Sequence, residues 1–224
     1  MTNHAARLSC CAAVFFLVFA CTPLTYGNNL VPLVDITGGG QAVVPLADAV
    51  GGWAFHVDTP LTIGAIGLWD EGELPLQIPH DVGLWKSDQT LLWVATVDNN
   101  STPVPSAFSG GQWLFTNIPE LQLQPGDYVL GAVWGDPNIG ADPFRINTNI
   151  LTSGVSYTAA CATFQLPGPE LVFPDCGDGS LSNASYFGPN LAVVVPEPAS
   201  LALLGCGVAG AAGALRRRLS PQSD

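Results

Sequence analysis

Positive charge is scarce between the two ends of this chain, and so are methionine, histidine and any long amphipathic run. Only six of the 224 residues are Lys or Arg, and just two of these, Lys86 and Arg145, fall between Asn28 and Val195. The same stretch holds 16 of the 18 acidic residues, for a net charge of −14. Such a surface repels phosphate backbones and anionic lipid headgroups, which excludes nucleic acid as a partner. A single Met, and no window of helical periodicity between Gly51 and Val195, argue against helices there. What remains is 25 Gly and 19 Pro among many Val, Thr, Trp and Phe, the composition of short strands joined by tight turns.

Catalytic signatures are also missing. There is no Gly-x-Ser-x-Gly elbow and no His-Glu-x-x-His. His80-Asp81 invites a reading as a base with its orienting carboxylate. Neighbours on a strand point to opposite faces, however, so the pair cannot make the hydrogen bond a triad needs. His80 and His56 are read as strand residues with structural partners. No catalytic residue is assigned, and the chain is read as non-enzymatic; a hydrolase built on an acidic pair is the distant alternative.

Both ends read as targeting segments, leaving one domain between them. Met1 to Ser9 carries one Arg and no acid, Cys10 to Ala20 is apolar, and Thr25-Tyr26-Gly27 offers small residues where a signal peptidase reads, so residues 1–27 are expected to be a signal peptide. Val18-Phe19-Ala20-Cys21 is a faint lipoprotein box that leaves lipidation of Cys21 as the alternative, against which the bulky Phe19 argues. At the other end, Pro196-Glu197-Pro198 precedes a small-apolar run, Leu201 to Leu215, and then Arg216-Arg217-Arg218. That run, with residues from about 199, reads as a membrane helix with its basic end held inside. At about 15 to 17 apolar residues it falls short of the roughly 20 a secure span wants, so the anchor is weak. Gly205-Cys206-Gly207-Val208-Ala209-Gly210 fits Gly-x-Gly-x-x-Gly only by accident, since no strand precedes it and too little chain follows for a dinucleotide fold. Gly205, Ala209 and Gly213 recur every four positions, a spacing that permits close packing against another membrane helix.

Between these ends the chain reads as a meander. Expected strands are Gly52–Val57, Leu61–Trp69, Asp81–Lys86, Leu91–Val97, Gln112–Phe115, Leu121–Leu123 and Tyr128–Trp134, with weaker ones at Val155–Tyr157, Ala162–Phe164 and Leu191–Val195. Ser87-Asp88-Gln89-Thr90 has the length and composition of a hairpin loop, and Asp98 to Gly111 reads as a polar loop. The expected class is all-β, an antiparallel β-sandwich or jelly roll over residues 28–195.

An internal echo runs through it: Gly67-Leu68-Trp69, Gly83-Leu84-Trp85 and, less closely, Gly131-Ala132-Val133-Trp134. Trp69 and Trp85 are therefore candidate platforms for stacking on sugar rings; the alternative is that each indole fills the core near a strand end. With Cys10, Cys11 and Cys21 in the leader and Cys206 in the terminal run, Cys161 and Cys176 remain as one pair, expected to form a disulfide in an oxidising compartment. Closing a loop of about 15 residues contributes on the order of 3 kcal/mol. The rival, a thiolate metal site, lacks a Cys-x-x-Cys pair and a nearby His. Acidic clusters at Asp70-Glu71-Gly72-Glu73, at Asp136 with Asp142, and at Asp175 to Asp178 are candidate calcium ligands, although none has the spaced Asp-x-Asp-x-Asp-Gly pattern. No cofactor is assigned.

Two resemblances follow from these residues. The runs Phe55–Asp70, His80–Trp85, Leu91-Leu92 and Leu123–Gly131 resemble a bacterial exported domain of unknown function that commonly precedes sorting tails. That resemblance implies a β-sandwich and no established activity. The tail, with Pro196, Glu197 and Pro198 ahead of its apolar run and Arg216 to Arg218, resembles a PEP-CTERM sorting signal. It implies cleavage near Pro-Glu-Pro by exosortase, a membrane transpeptidase, and delivery to the cell surface or an exopolysaccharide matrix. Within it Pro196 to Pro198 are substrate residues. The expected function is thus that of an exported surface or matrix protein, with a carbohydrate-binding module as the alternative.

Overall fold

The computed structural model describes residues 29–44, 48–135, 142–164, 168, 170–177 and 187–195. The expected signal peptide over residues 1–27, Pro196–Pro198, the apolar run and Arg216–Arg218 lie outside them. Asn29–Val195 is one compact unit, and among its described residues all regular structure is strand.

The strands are β1 (Asn29–Pro32), β2 (Val34–Val43), β3 (Ala49–Val57), β4 (Leu61–Glu71), β5 (His80–Lys86), β6 (Leu91–Val97), β7 (Thr102–Pro105), β8 (Gly111–Leu123), β9 (Gly126–Trp134), β10 (Phe144–Thr152), β11 (Val155–Phe164) and β12 (Pro189–Val195). They form a first five-stranded sheet in the order β1-β12-β4-β8-β7, a second in the order β11-β3-β9-β5-β6, and a two-stranded ribbon of β10 and β2. Every strand pairing is antiparallel.

One cluster of buried side chains draws on both five-stranded sheets: Ile63, Ile66, Leu68 and Trp69 from β4 and Phe115 from β8, with Trp53 and Phe55 from β3, Leu84 from β5 and Leu130 from β9. The central strands β4 and β9 are buried along most of their length, on both faces. Burial on both faces explains why Tyr128–Trp134 is a nearly continuous apolar run rather than an alternating one.

Two expected pairs of strands are single strands. Gln112–Phe115 and Leu121–Leu123 both belong to β8, which skips from Asn117 to Leu121 as β4 advances from Ala65 to Ile63. Pro119 falls in that bulge, where a residue without an N–H is tolerated. Val155–Tyr157 and Ala162–Phe164 likewise belong to β11, with a register shift between Tyr157 and Ala159. The stretch read as a polar loop contains β7, an edge strand whose Pro103 and Pro105 hide its strand character. β2 and β10 were not expected, because the Gly38-Gly39-Gly40 run in β2 reads as a breaker. All three glycines have positive φ, and a side chain at Gly40 would lie 2.3 Å from the Ile146 carbonyl oxygen across the ribbon.

Candidate functional site

Neither candidate stacking residue is a platform. Trp69 is 0 % exposed and Trp85 is 4 % exposed, so the expectation of sugar-stacking indoles at these positions is corrected. Trp69 packs edge-on against Trp113, with ring centroids 5.1 Å apart, and its Nε1 donates to Glu71 Oε2 at 2.6 Å. Glu71 in turn accepts from Arg145, whose Nη1 donates to Oε1 at 2.6 Å and to Oε2 at 2.8 Å. The guanidinium also donates to the Gly39 carbonyl at 3.0 Å and lies 4.4 Å above the Phe108 ring. Arg145 is thus a nearly buried cation held by a carboxylate, a carbonyl and an aromatic face.

Trp85 lies on the other face of its sheet. Its ring folds back over Gly83, where a side chain would come within 2.3 Å of it, and Phe173 closes over it edge-on at 5.9 Å. Phe173 belongs to a segment, residues 170–177, fastened to the edge strand β11. Ala162 N donates to Asp175 O at 2.8 Å, Asp175 N donates to Thr163 Oγ1 at 3.0 Å, and Cys161 and Cys176 form the expected disulfide. In register across the second sheet, Cys161 of β11 stands opposite Gly52, Gly52 opposite Gly131, and Gly131 opposite Gly83. This row of glycines is a flat strip into which the strap lowers Pro174, 3.0 Å from the position of a Gly131 side chain.

His80 opens β5 and is 1 % exposed, whereas its neighbour Asp81 points outward and accepts from Thr96 Oγ1 at 2.6 Å. The partner of His80 comes from elsewhere in the chain: its Nε2 lies 2.9 Å from Asp142 Oδ2, and its Nδ1 donates to the Val133 carbonyl at 2.7 Å. With both nitrogens engaged, His80 has none free to take a proton from a substrate. Asp142 also accepts from the Gln77 and Ile78 amides. Burial alone would raise the Asp142 pKa, but these hydrogen bonds, that of His80 foremost, leave it below the usual carboxylate range. His56 is half exposed and pairs with Asp127 at 2.7 Å, across the β3–β9 ladder. The hydrogen bond to Asp127 raises its pKa.

Three of the candidate calcium ligands are engaged by other partners. Asp70 accepts from Gln112, Glu71 faces Arg145, and Asp142 faces His80. Asp136 and Asp178 lie outside the described residues. Among the described residues no group of three or more His, Cys, Asp or Glu gathers as a metal site.

Two hollows remain. One, of about 260 Å³, is lined by Asp70 and Glu73 with Asn99, Ser101 and Gln112. Burial raises the Asp70 pKa despite the hydrogen bond from Gln112. The other, of about 460 Å³, lies where the β5–β6 hairpin meets the turn from β8 into β9. Leu92, Leu121 and Tyr128 contribute its apolar lining, and Lys86, Asp88, Gln122, Gln124 and Asp127 its polar groups. The Tyr128 hydroxyl donates to the Gln124 carbonyl at 2.8 Å, which fixes the ring. Sequence reasoning found neither hollow, nor the pairs His80–Asp142 and Arg145–Glu71, which join residues 62 and 74 positions apart. The one available signal was the shortage of cations: a lone Arg among many acids is expected to find one.

β12 ends at Val195, directly before Pro196. No curated protein and no solved structure matches the chain. Residues 194–218 match the PEP-CTERM protein-sorting motif, which marks an exported, surface-associated protein handled by an exosortase-type enzyme.

Proposed function

We propose that residues 28–195 are a non-catalytic β-sandwich, displayed at the cell surface or in an extracellular polymer matrix, and that the tail serves only to deliver it. The signal peptide over residues 1–27 starts the export, the apolar run to Leu215 holds the chain in the membrane, and Arg216 to Arg218 stay inside. The exosortase-type enzyme then cuts near Pro196-Glu197-Pro198. The observation that carries this reading is the sorting motif over residues 194–218, which begins in the last two residues of β12. The non-catalytic part is supported by His80, whose nitrogens are both engaged. The test is cell fractionation followed by intact mass measurement of the mature protein. A C-terminus near Pro198, with Arg216 to Arg218 lost, is expected; a mature chain that keeps all three arginines would make the tail a permanent anchor.

A carbohydrate-binding role is supported by a different place from the indoles. The hollow of about 460 Å³ pairs an ordered Tyr128 and leucines with amide and carboxylate side chains, the mixture that suits the apolar and hydroxylated faces of a sugar. Titration with the organism's own exopolysaccharide should show binding that weakens in Gln122→Ala. Equal binding by that variant would remove the hollow from consideration.

A further inference from the structure

The sorting motif and the folded strands overlap by two residues. Val194 and Val195 belong both to the matched segment and to β12, and Pro196 follows them directly in the chain. Over most of its length β12 lies between two strands: Pro189 to Val193 pair with β4 on one side, and Ala192 to Val195 pair with β1 on the other. Val194 and Val195 therefore have a ladder on one side only. Their partners there are Leu30 and Asn29, the opening residues of the four-residue β1.

The hold on β12 weakens toward the motif. At the inner end Leu33 N donates to the Leu191 carbonyl at 2.8 Å, and Asn190 is clasped to Val34: its Oδ1 accepts from Val34 N at 3.2 Å and its Nδ2 donates to Val34 O at 2.6 Å. Leu33, Val34, Asn190 and Leu191 are all fully buried. Further along, Pro32 has no N–H to give to the ladder. Beyond it Val31 is 37 % exposed and Val195 42 %. Val194 keeps a side-chain contact with β4, where a Cβ at Gly64 would come within 2.1 Å of it. Strand ends with few buried contacts part at the smallest free-energy cost, so this end of the ladder opens first.

We infer that the β1–β12 ladder controls the processing of this chain: the tail is cut when Asn29 and Leu30 release Val195 and Val194, and is withheld while they stay paired. The inference rests on the reading that an exosortase-type enzyme cuts near Pro196-Glu197-Pro198. A peptidase takes its substrate as an extended segment with residues on each side of the bond, and main-chain groups already engaged in a sheet are not free for it. For a cut near Pro196 to Pro198, the residues just upstream are Val194 and Val195. Cleavage then runs through the opened form, at a rate set by how much of that form is present. β1 suits this role. Four residues, one of them proline, can part without disturbing the β12–β4 ladder, which ends at Val193. The folded domain thereby sets the pace of its own release from the tail.

Pulse–chase of the full chain in the cells that make it, with intact mass as the readout, tests this. A disulfide between the register partners Asn29→Cys and Val195→Cys pins the end of the ladder and should slow the loss of the tail by about tenfold or more. Val195→Cys alone, which makes the same change beside the motif without the bond, should be cut at the unaltered rate. Val31→Cys with Val193→Cys fastens the same ladder two residues further in but leaves its end free to part, so it should slow the cut far less. Leu30→Gly, which removes a partly buried side chain from β1, should speed the cut by about threefold or more. Equal rates in all these variants, slowing by Val195→Cys as great as by the pair, or equal slowing by the two disulfides would each overturn the inference. An unaltered chain never cut near Pro196 to Pro198 would remove the sorting reading, and the inference with it.

Discussion

Gly67-Leu68-Trp69 in β4 and Gly83-Leu84-Trp85 in β5 share three residues and a strand conformation, yet their indoles end in different places. Trp69 joins the cluster that draws on both five-stranded sheets, where its N–H completes a chain from Glu71 to Arg145. Trp85 faces the opposite side of its sheet and stays dry only because Phe173 and the disulfide-tied strap cover it. The first indole is buried by the architecture, the second by one segment. A tripeptide sets the local shape, while the burial of its side chain depends on what the rest of the chain lays over it.

The largest effect should come from Trp69→Ala, which removes a fully buried indole and leaves Glu71 without one of its donors. A loss of about 3–5 kcal/mol is expected by denaturant unfolding. Reducing the Cys161–Cys176 bond should cost about 3 kcal/mol and do so selectively. Acrylamide quenching should rise for the emission of Trp85 and not for that of Trp69, each taken as the difference between the protein and the variant in which that one indole is replaced by Phe. If both indoles respond alike, the division between architecture and strap is wrong. Trp85→Ala should cost less than Trp69→Ala, about 2 kcal/mol, because a strap can settle into the space whereas a core built from several strands relaxes only partially. Equal losses in the two variants would break the comparison.

The polar ends of the same two strands sharpen it further, with the smallest effect. Near the end of β4, burial raises the Asp70 pKa. At the start of β5, hydrogen bonds to Asp142 lower its pKa. A carboxyl whose folded pKa is raised is stabilised relative to the unfolded chain by protonation. Stability therefore grows as pH falls from neutrality through the raised Asp70 value. A carboxyl whose folded pKa is depressed contributes stability that is complete above the unfolded value and is lost as pH falls through the folded one. The melting temperature should thus peak at mildly acidic pH and drop below the ordinary carboxylate range. Asp70→Asn should flatten the rise and Asp142→Asn the fall. A profile unchanged by either variant would refute both assignments.

Much of the strand content was legible from residue pattern. β3, β4, β5, β6, β9 and β12 stand close to where alternation and apolar runs placed them, and the four-residue hairpin loop after Lys86 is closed by Lys86 N donating to Thr90 O at 2.9 Å. Four of the misses share one cause. β2 contains three successive glycines, β7 two prolines, and β8 and β11 a bulge each, and in every case a local breaker is absorbed by pairing to a distant strand. Pattern reads the chain along itself, whereas a bulge or a glycine ribbon makes sense only opposite its partner.

The sequence by itself determined the class of the fold, the pairing of the only two cysteines between Asn28 and Val195, the strongly acidic surface and the sorting tail. Each of these depends on composition or on contiguous residues, and composition and short motifs survive without knowledge of the contacts. Only the tertiary structure decided that Trp85 lies under a strap, and that His80 answers to Asp142 and Arg145 to Glu71. Those facts rest on which strands stand side by side and on what covers them, and a sheet assembled from strands far apart in sequence settles neither until it has closed.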